Sequence, residues 1–130
     1  MIQPQTLEIR NGEKIPAIFS KEEMDNRLQA IRSLMEEQKL DGILFTSFHN
    51  INYFDHFLYT AFGRNYGLVV TRDRICSVTA NIDGGQPWRR GVGENLIYTD
   101  WQRDNFFAAV QELLKGCLLY TSDAADDELG

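Results

Sequence analysis

SKEEMDNRLQAIRSLMEEQKLDGILFT, residues 20–46, is the stretch from which the fold class follows. Ser20-Lys21-Glu22-Glu23 has the S-x-x-E form of a capping box: the Ser20 hydroxyl can accept from the amide of Glu23, whose carboxylate can reach back to the cap. A helix is therefore predicted to start at Ser20. Met24, Leu28, Ile31, Leu34 and Met35 then recur at helical spacing through Lys39, with Glu22, Asp25, Arg32, Glu36 and Glu37 on the other faces. Asp41-Gly42 is predicted to end the helix. Ile43-Leu44-Phe45-Thr46 follows as a short apolar, β-favouring run suited to the inside of a covered sheet. A long amphipathic helix feeding a buried strand is the pattern of a layered α/β domain.

Working outward, Phe48 to Tyr66 is dense in aromatics, and Asn50 to Phe57 reads as a short helix with Asn50 as its cap. Tyr66–Thr71 and Ile75–Thr79 are strand-like runs joined by Arg72-Asp73-Arg74, short enough for an antiparallel hairpin. A hairpin added to helix-linked strands makes the sheet mixed. Asp83-Gly84-Gly85 signals a turn, and Leu96-Ile97-Tyr98-Thr99 a further strand. Asp100 or Asp104 is placed to cap a last helix, with Phe106, Phe107, Val110, Leu113 and Leu114 on its apolar side. The expected fold is thus α/β, a mixed β-sheet flanked by helices.

The chain has 130 residues, enough for one domain with a real core and not for two. Cys76 and Cys117 form no spaced framework and no C-x-x-C, which favours a reducing compartment. The opening residues lack a basic stretch followed by an apolar one, and no run approaches a membrane span. The expected setting is the cytoplasm, away from membranes. A net charge of −6 argues against nucleic acid as a partner. Asp123, Asp126, Asp127 and Glu128 supply much of it; without them 13 cations face 15 acids, a net charge of −2.

After Lys115 the composition changes abruptly, and the helix is expected to stop there. The run CLLYTSDAAD from Cys117 resembles the translation of a sequencing-library adapter. Residues 1–115 are accordingly read as the domain, truncated at its C-terminal end, and 116–130 as a non-native tail.

Few residues offer chemistry. His49, Asp55 and His56 are of metal-ligand and acid–base type, but seven residues separate the histidines and no second cluster supplies further ligands. Metal binding is not expected, and the two histidines read as hydrogen-bonded structural residues in a buried aromatic region. Cys76 lies mid-strand, where a free cysteine behaves as a small apolar residue. Gly91-Val92-Gly93 lacks the third glycine and the preceding strand of a dinucleotide fingerprint and reads as a loop. Trp88-Arg89-Arg90 reads as surface charge, although adjacent arginines could hold an anion. Phe62-Gly63-Arg64-Asn65-Tyr66-Gly67 is the sharper candidate. An arginine between aromatics on a glycine-flanked turn can grip a small carboxylate while an aromatic face excludes water. Equally, Arg64 can pair with an acidic neighbour or lie over Phe62.

FTSFHNINYFDHFLYTAFGRNYGLVVT, ANIDGGQPWRR and NLIYTDWQRDNFFAAV, with TLEIRNGEK before them, closely resemble the creatinases of the creatinase/prolidase, or pita-bread, family over about residues 5–115. The resemblance implies a smaller N-terminal α/β domain of a two-domain enzyme. It implies hydrolysis of creatine to sarcosine and urea without metal or other cofactor, with the acid–base histidine and guanidinium-binding glutamates on a domain outside this sequence. Neither His49 nor His56 matches that histidine, so no catalytic residue and no metal ligand is expected here. Phe62 and Arg64 fall on the positions that, in the family's homodimer, close over the partner subunit's pocket and bind substrate. Arg64 would hold the carboxylate of creatine and Phe62 would wall its N-methyl group. Two other readings remain: the N-terminal domain of a prolidase-like metallopeptidase, and a free-standing binding or dimerisation module.

Overall fold

The computed structural model describes residues 6–8, 10, 12–15, 18–56, 65–81, 86–99 and 105–120, with side chains as far as 115. Along the chain run β1 (Thr6–Leu7), α1 (Lys21–Gln38), β2 (Gly42–Phe45), α2 (Phe48–Asp55), β3 (Gly67–Thr71), β4 (Ile75–Ala80), α3 (Gln86–Arg90), β5 (Glu94–Tyr98) and α4 (Asn105–Tyr120). The strands form one mixed sheet in the order β1-β5-β4-β3-β2. β2 with β3, β3 with β4 and β1 with β5 pair antiparallel, whereas β4 and β5 run parallel. Parallel neighbours need a crossover, and α3 lies in it.

Alternation along the strands gives each face of the sheet its own core. Val69, Cys76, Val78, Ala80, Leu96 and Tyr98 meet Phe106, Ala109, Val110 and Leu113 of α4 on one side. Leu68, Val70 and Tyr66 meet Met35 of α1 and Ile51 of α2 on the other, with Leu28, Ile31, Ile43, Phe45 and Phe54 around them. The mixed α/β architecture read from the sequence is the one observed. The hairpin turn is closed by Thr71, whose amide donates to the Arg74 carbonyl (2.9 Å) and whose hydroxyl accepts from the Arg74 amide (3.1 Å).

Ser20 caps α1 as expected, its hydroxyl accepting from Glu23 N at 3.1 Å, but the Glu23 carboxylate pairs with Arg27 at 2.8 Å rather than reaching back. Several local expectations are corrected. α1 ends not on Gly42, which already belongs to β2, but on Lys39 in a left-handed conformation, with Leu40 N donating to Met35 O at 2.7 Å. That bond satisfies a last-turn carbonyl in the way a glycine cap would. Among the described residues β2 is an edge strand and only half-buried, with Ile43 and Phe45 packed toward α1 and α2 and Leu44 toward α4. The cap of α2 lies three residues earlier than expected, at Ser47 rather than Asn50, and accepts from Asn50 N at 3.2 Å. Leu34 (45% exposed) and Phe107 (58% exposed) sit beside, not within, the apolar stripes of their helices. α4 continues to Tyr120 rather than stopping at Lys115; an interior glycine such as Gly116 costs a helix only about 1 kcal/mol. The Asp83-Gly84-Gly85 turn and the Asp100 or Asp104 cap lie outside the described residues.

Candidate functional site

The C-terminal end of α2 is where the described residues depart furthest from simple packing. Ile51 and Phe54 seat the helix on the sheet, and this places Asp55, at the helix end, wholly out of solvent. Its backbone carbonyl accepts from Val92 N (2.8 Å) and its Oδ1 from Gly93 N (2.8 Å), while Oδ2 has no hydrogen-bond partner. The turn between α3 and β5 comes this close because it has no side chains at two positions. A methyl group at Gly91 would lie 2.6 Å from Asp55 Oδ2, and one at Gly93 would lie 2.5 Å from the Ile75 carbonyl.

The same turn is held from outside by Lys14, whose ammonium donates to the carbonyls of Trp88 (2.7 Å), Gly91 (2.9 Å) and Gly93 (2.9 Å). It also stands 3.7 Å from the Trp88 ring centroid, an added cation–π attraction. Burial holds the Lys14 ammonium below its usual value, against the pull of the Asp55 carboxylate. Burial pushes the Asp55 carboxyl up to about 7, against the Gly93 amide, the Lys14 charge and the Val92 amide.

That shift has a sign. Folded Asp55 keeps its proton to about pH 7, whereas the ordinary value is 3.8. Between those values the folded chain binds a proton the unfolded chain has released, so stability falls as pH rises through this window. Asp55→Asn is therefore expected to gain on the parent chain between pH 5 and pH 8. Urea unfolding of both proteins at the two pH values measures this, and an equal difference at both would show that Asp55 titrates as an ordinary carboxyl.

Beside this cluster a cleft of about 500 Å³ is lined by Ile15, Ile18, Phe19, Asn52, His56 and Arg90. His56, the left-handed cap of α2, accepts from Ile18 N through Nε2 at 3.2 Å. Asp55 points away from it, toward Gly93, so the two do not form a proton-transfer pair. Cys76 is buried, and burial pushes its thiol up to about 12, which makes it no nucleophile at neutral pH.

His49 lies in the first turn of α2, six residues from Asp55 and so roughly 9 Å along the axis. Among the described residues no three His, Cys, Asp or Glu side chains gather in a way that could hold a metal ion. Gly91–Gly93 is a loop, and its glycines serve close approach rather than a phosphate. Arg89 and Arg90 are exposed at the end of α3, while the Arg89 carbonyl accepts from Ile15 N at 2.6 Å. Phe62 and Arg64 lie outside the described residues. Their flanks are described: the segment leaves directly after His56 and returns at Asn65, whose carbonyl accepts from the Tyr98 hydroxyl, followed by buried Tyr66. Lys14 is the residue that sequence reasoning missed. Its partners lie more than seventy residues downstream, and only the small residues of the 91–93 turn hinted at a close approach. Among the described residues no helix is long and apolar enough to cross a membrane.

Residues 27–119 match the sequence profile of the Creatinase/Prolidase N-terminal domain family. A creatinase from Bacillus sp. (strain B-0618) is 54% identical over 103 residues, which is 79% of this chain and 25% of that protein. The chain thus spans about a quarter of the length of that relative. Among solved structures, a proline dipeptidase from Streptococcus pneumoniae TIGR4 superposes with a TM-score of 0.60 at 21% identity, covering 68% of this chain and 64% of that one. An XXA-Pro aminopeptidase from Streptococcus pyogenes gives 0.59 at 23% identity, covering 75% and 69%. At these identities the structural matches establish the fold.

Proposed function

Because the chain belongs to the Creatinase/Prolidase N-terminal domain family, we propose that it is the substrate-binding and dimer-forming segment of a creatinase-like amidinohydrolase, an enzyme converting creatine and water to sarcosine and urea. The observation that carries this reading is the 54% identity to a creatinase over 79% of the chain. The described residues are consistent with a role other than proton transfer: His56 is committed to Ile18 N, Asp55 to the 91–93 turn, and Cys76 is buried.

In this reading Arg64 and Phe62 of one protomer complete the cavity of its partner. Creatine is a zwitterion with a carboxylate at one end and an N-methyl group near the other. A guanidinium offers the carboxylate a planar pair of donors, and a phenyl ring offers the methyl group an apolar wall. Hydrogen bonds to charged groups are worth about 1.5–3 kcal/mol. That is enough to orient a bound molecule but far short of what cleavage of a C–N bond requires. Bond breaking then belongs to residues beyond this sequence.

Two assays test the division of labour. The 130-residue chain alone is expected to release no urea from creatine. Joined in place of the matched quarter of the Bacillus creatinase, it is expected to support creatine hydrolysis. Turnover by the chain alone would overturn the proposal, as would a folded chimera that fails to hydrolyse creatine.

A further inference from the structure

The geometry points to the cleft between the ends of α2 and α3 as a binding site for a small organic carboxylate with an apolar body, held at its charged end by Arg90. This site is separate from the creatine reading above and does not depend on it. Ile15, Ile18 and Phe19 supply apolar surface, and Asn52, His56 and Arg90 supply polar groups, around a volume of about 500 Å³. Small-molecule sites typically enclose about 300–1,000 Å³ and combine an apolar lining with a few polar anchors.

Each apolar wall is pinned by a contact of its own. Ile15 N donates to the Arg89 carbonyl at 2.6 Å, which ties this residue to α3, and Ile18 N donates to His56 Nε2 at 3.2 Å, which ties that one to the end of α2. Phe19 lies under the Arg27 guanidinium, 4.3 Å from its ring centroid, and Arg27 is itself fixed by the Glu23 carboxylate (2.8 Å) and the Tyr53 carbonyl (3.0 Å). Walls held in place before a ligand arrives spare it the cost of ordering them. All three apolar residues are nevertheless exposed, so covering them with an apolar body removes area from water that the fold itself leaves open.

The charge in the cleft is uncompensated. Among the described residues, Arg10, Arg27, Arg72 and Arg74 pair with carboxylates and Arg32 donates to the Thr71 carbonyl. No such partner engages the exposed Arg90 side chain, and no acidic residue is among those lining the cleft. Asp55, beside His56 in the chain, is turned to Gly93 N instead. A guanidinium in this state offers a planar pair of donors that matches a carboxylate. A ligand that carries its own cation, creatine among them, meets no acid here, which narrows the class to simple carboxylates.

The test uses the whole 130-residue chain, with phenylacetate as the probe and phenylacetamide as its neutral counterpart. Phenylacetate is expected to shift the amide signals of Ile18, Phe19, Asn52 and His56 saturably, and phenylacetamide to bind about tenfold more weakly, having lost the charge-assisted contact. Acetate, which has the charge without the ring, is also expected to bind about tenfold or more weakly than phenylacetate. Arg90→Gln should bring the acid down to the level of the amide, with the signals of buried Val70, Val78 and Ile97 at their parental positions as the check on folding. Arg89→Gln, which removes the neighbouring charge outside the cleft, should leave both affinities within about twofold, as expected for a screened surface charge. Shifts that do not saturate overturn the inference, and so do equal affinities for acid and amide, or acetate binding as tightly as phenylacetate. A preference for the acid that survives Arg90→Gln, or that Arg89→Gln abolishes, also overturns it.

Discussion

Arg64→Ala in the chimera with the Bacillus creatinase is expected to raise KM for creatine by about 10- to 100-fold, the equivalent of a charge-assisted hydrogen bond worth about 1.5–3 kcal/mol. The loss in kcat should be smaller, about threefold or less, because a group that grips the carboxylate holds ground state and transition state alike. Arg64→Lys keeps the charge and loses the planar pair of donors, so it should fall between the two. Steady-state urea release against creatine concentration measures all three. Identical KM values for parent and Arg64→Ala would take Arg64 out of the cavity, and with it the proposed role of this chain in substrate binding.

Ile51→Ala is the second large effect, and it is one of stability. Ile51 is 0% exposed and packs among Met35, Tyr66, Leu68 and Val70, where α1, α2 and β3 meet. Removing three carbons from a site closed on all sides leaves a cavity that the neighbours fill only in part, at a cost of about 2–5 kcal/mol. For a domain whose whole stability is about 5–15 kcal/mol, this is a large share. Leu34→Ala, on the same layer but 45% exposed, should cost less than about 1 kcal/mol. Urea unfolding separates the two; equal midpoints for Ile51→Ala and Leu34→Ala would mean that α2 is not seated on the sheet as described.

The contrast between those two residues shows how far the sequence could be read. Helical spacing placed both Leu34 and Ile31 on the apolar side of α1, and it could not say that the stripe facing the sheet stops short of Leu34. The same limit applies to Phe107 in α4. Spacing marks which residues share a face; the width of the buried stripe depends on what is packed against it. Cap positions were similarly legible to within a turn. The S-x-x-E pattern marks Ser20, whereas nothing local separates Ser47 from Asn50, since both residue types cap helices and only the path of the preceding strand selects between them. Lys39 in a left-handed conformation has no local signal at all.

The long amphipathic helix, the hairpin at Arg72–Arg74, the mixed sheet and the family blocks were all readable from the chain alone, because each is written in neighbouring residues: a cap within three positions, a period of two or 3.6, a turn of three. What tertiary structure decided is the site built on Asp55. The bonds that join Lys14, Asp55 and the 91–93 turn span 37 to 79 residues, none of these residues carries a motif, and Asp55 by its type alone suggests a solvated or acid–base carboxylate. It becomes a buried clamp only when Ile51 and Phe54 draw α2 onto the sheet and the glycines of the turn let two backbone amides reach it. Burial and long-range hydrogen bonding are properties of the packed chain, and no window of sequence contains them.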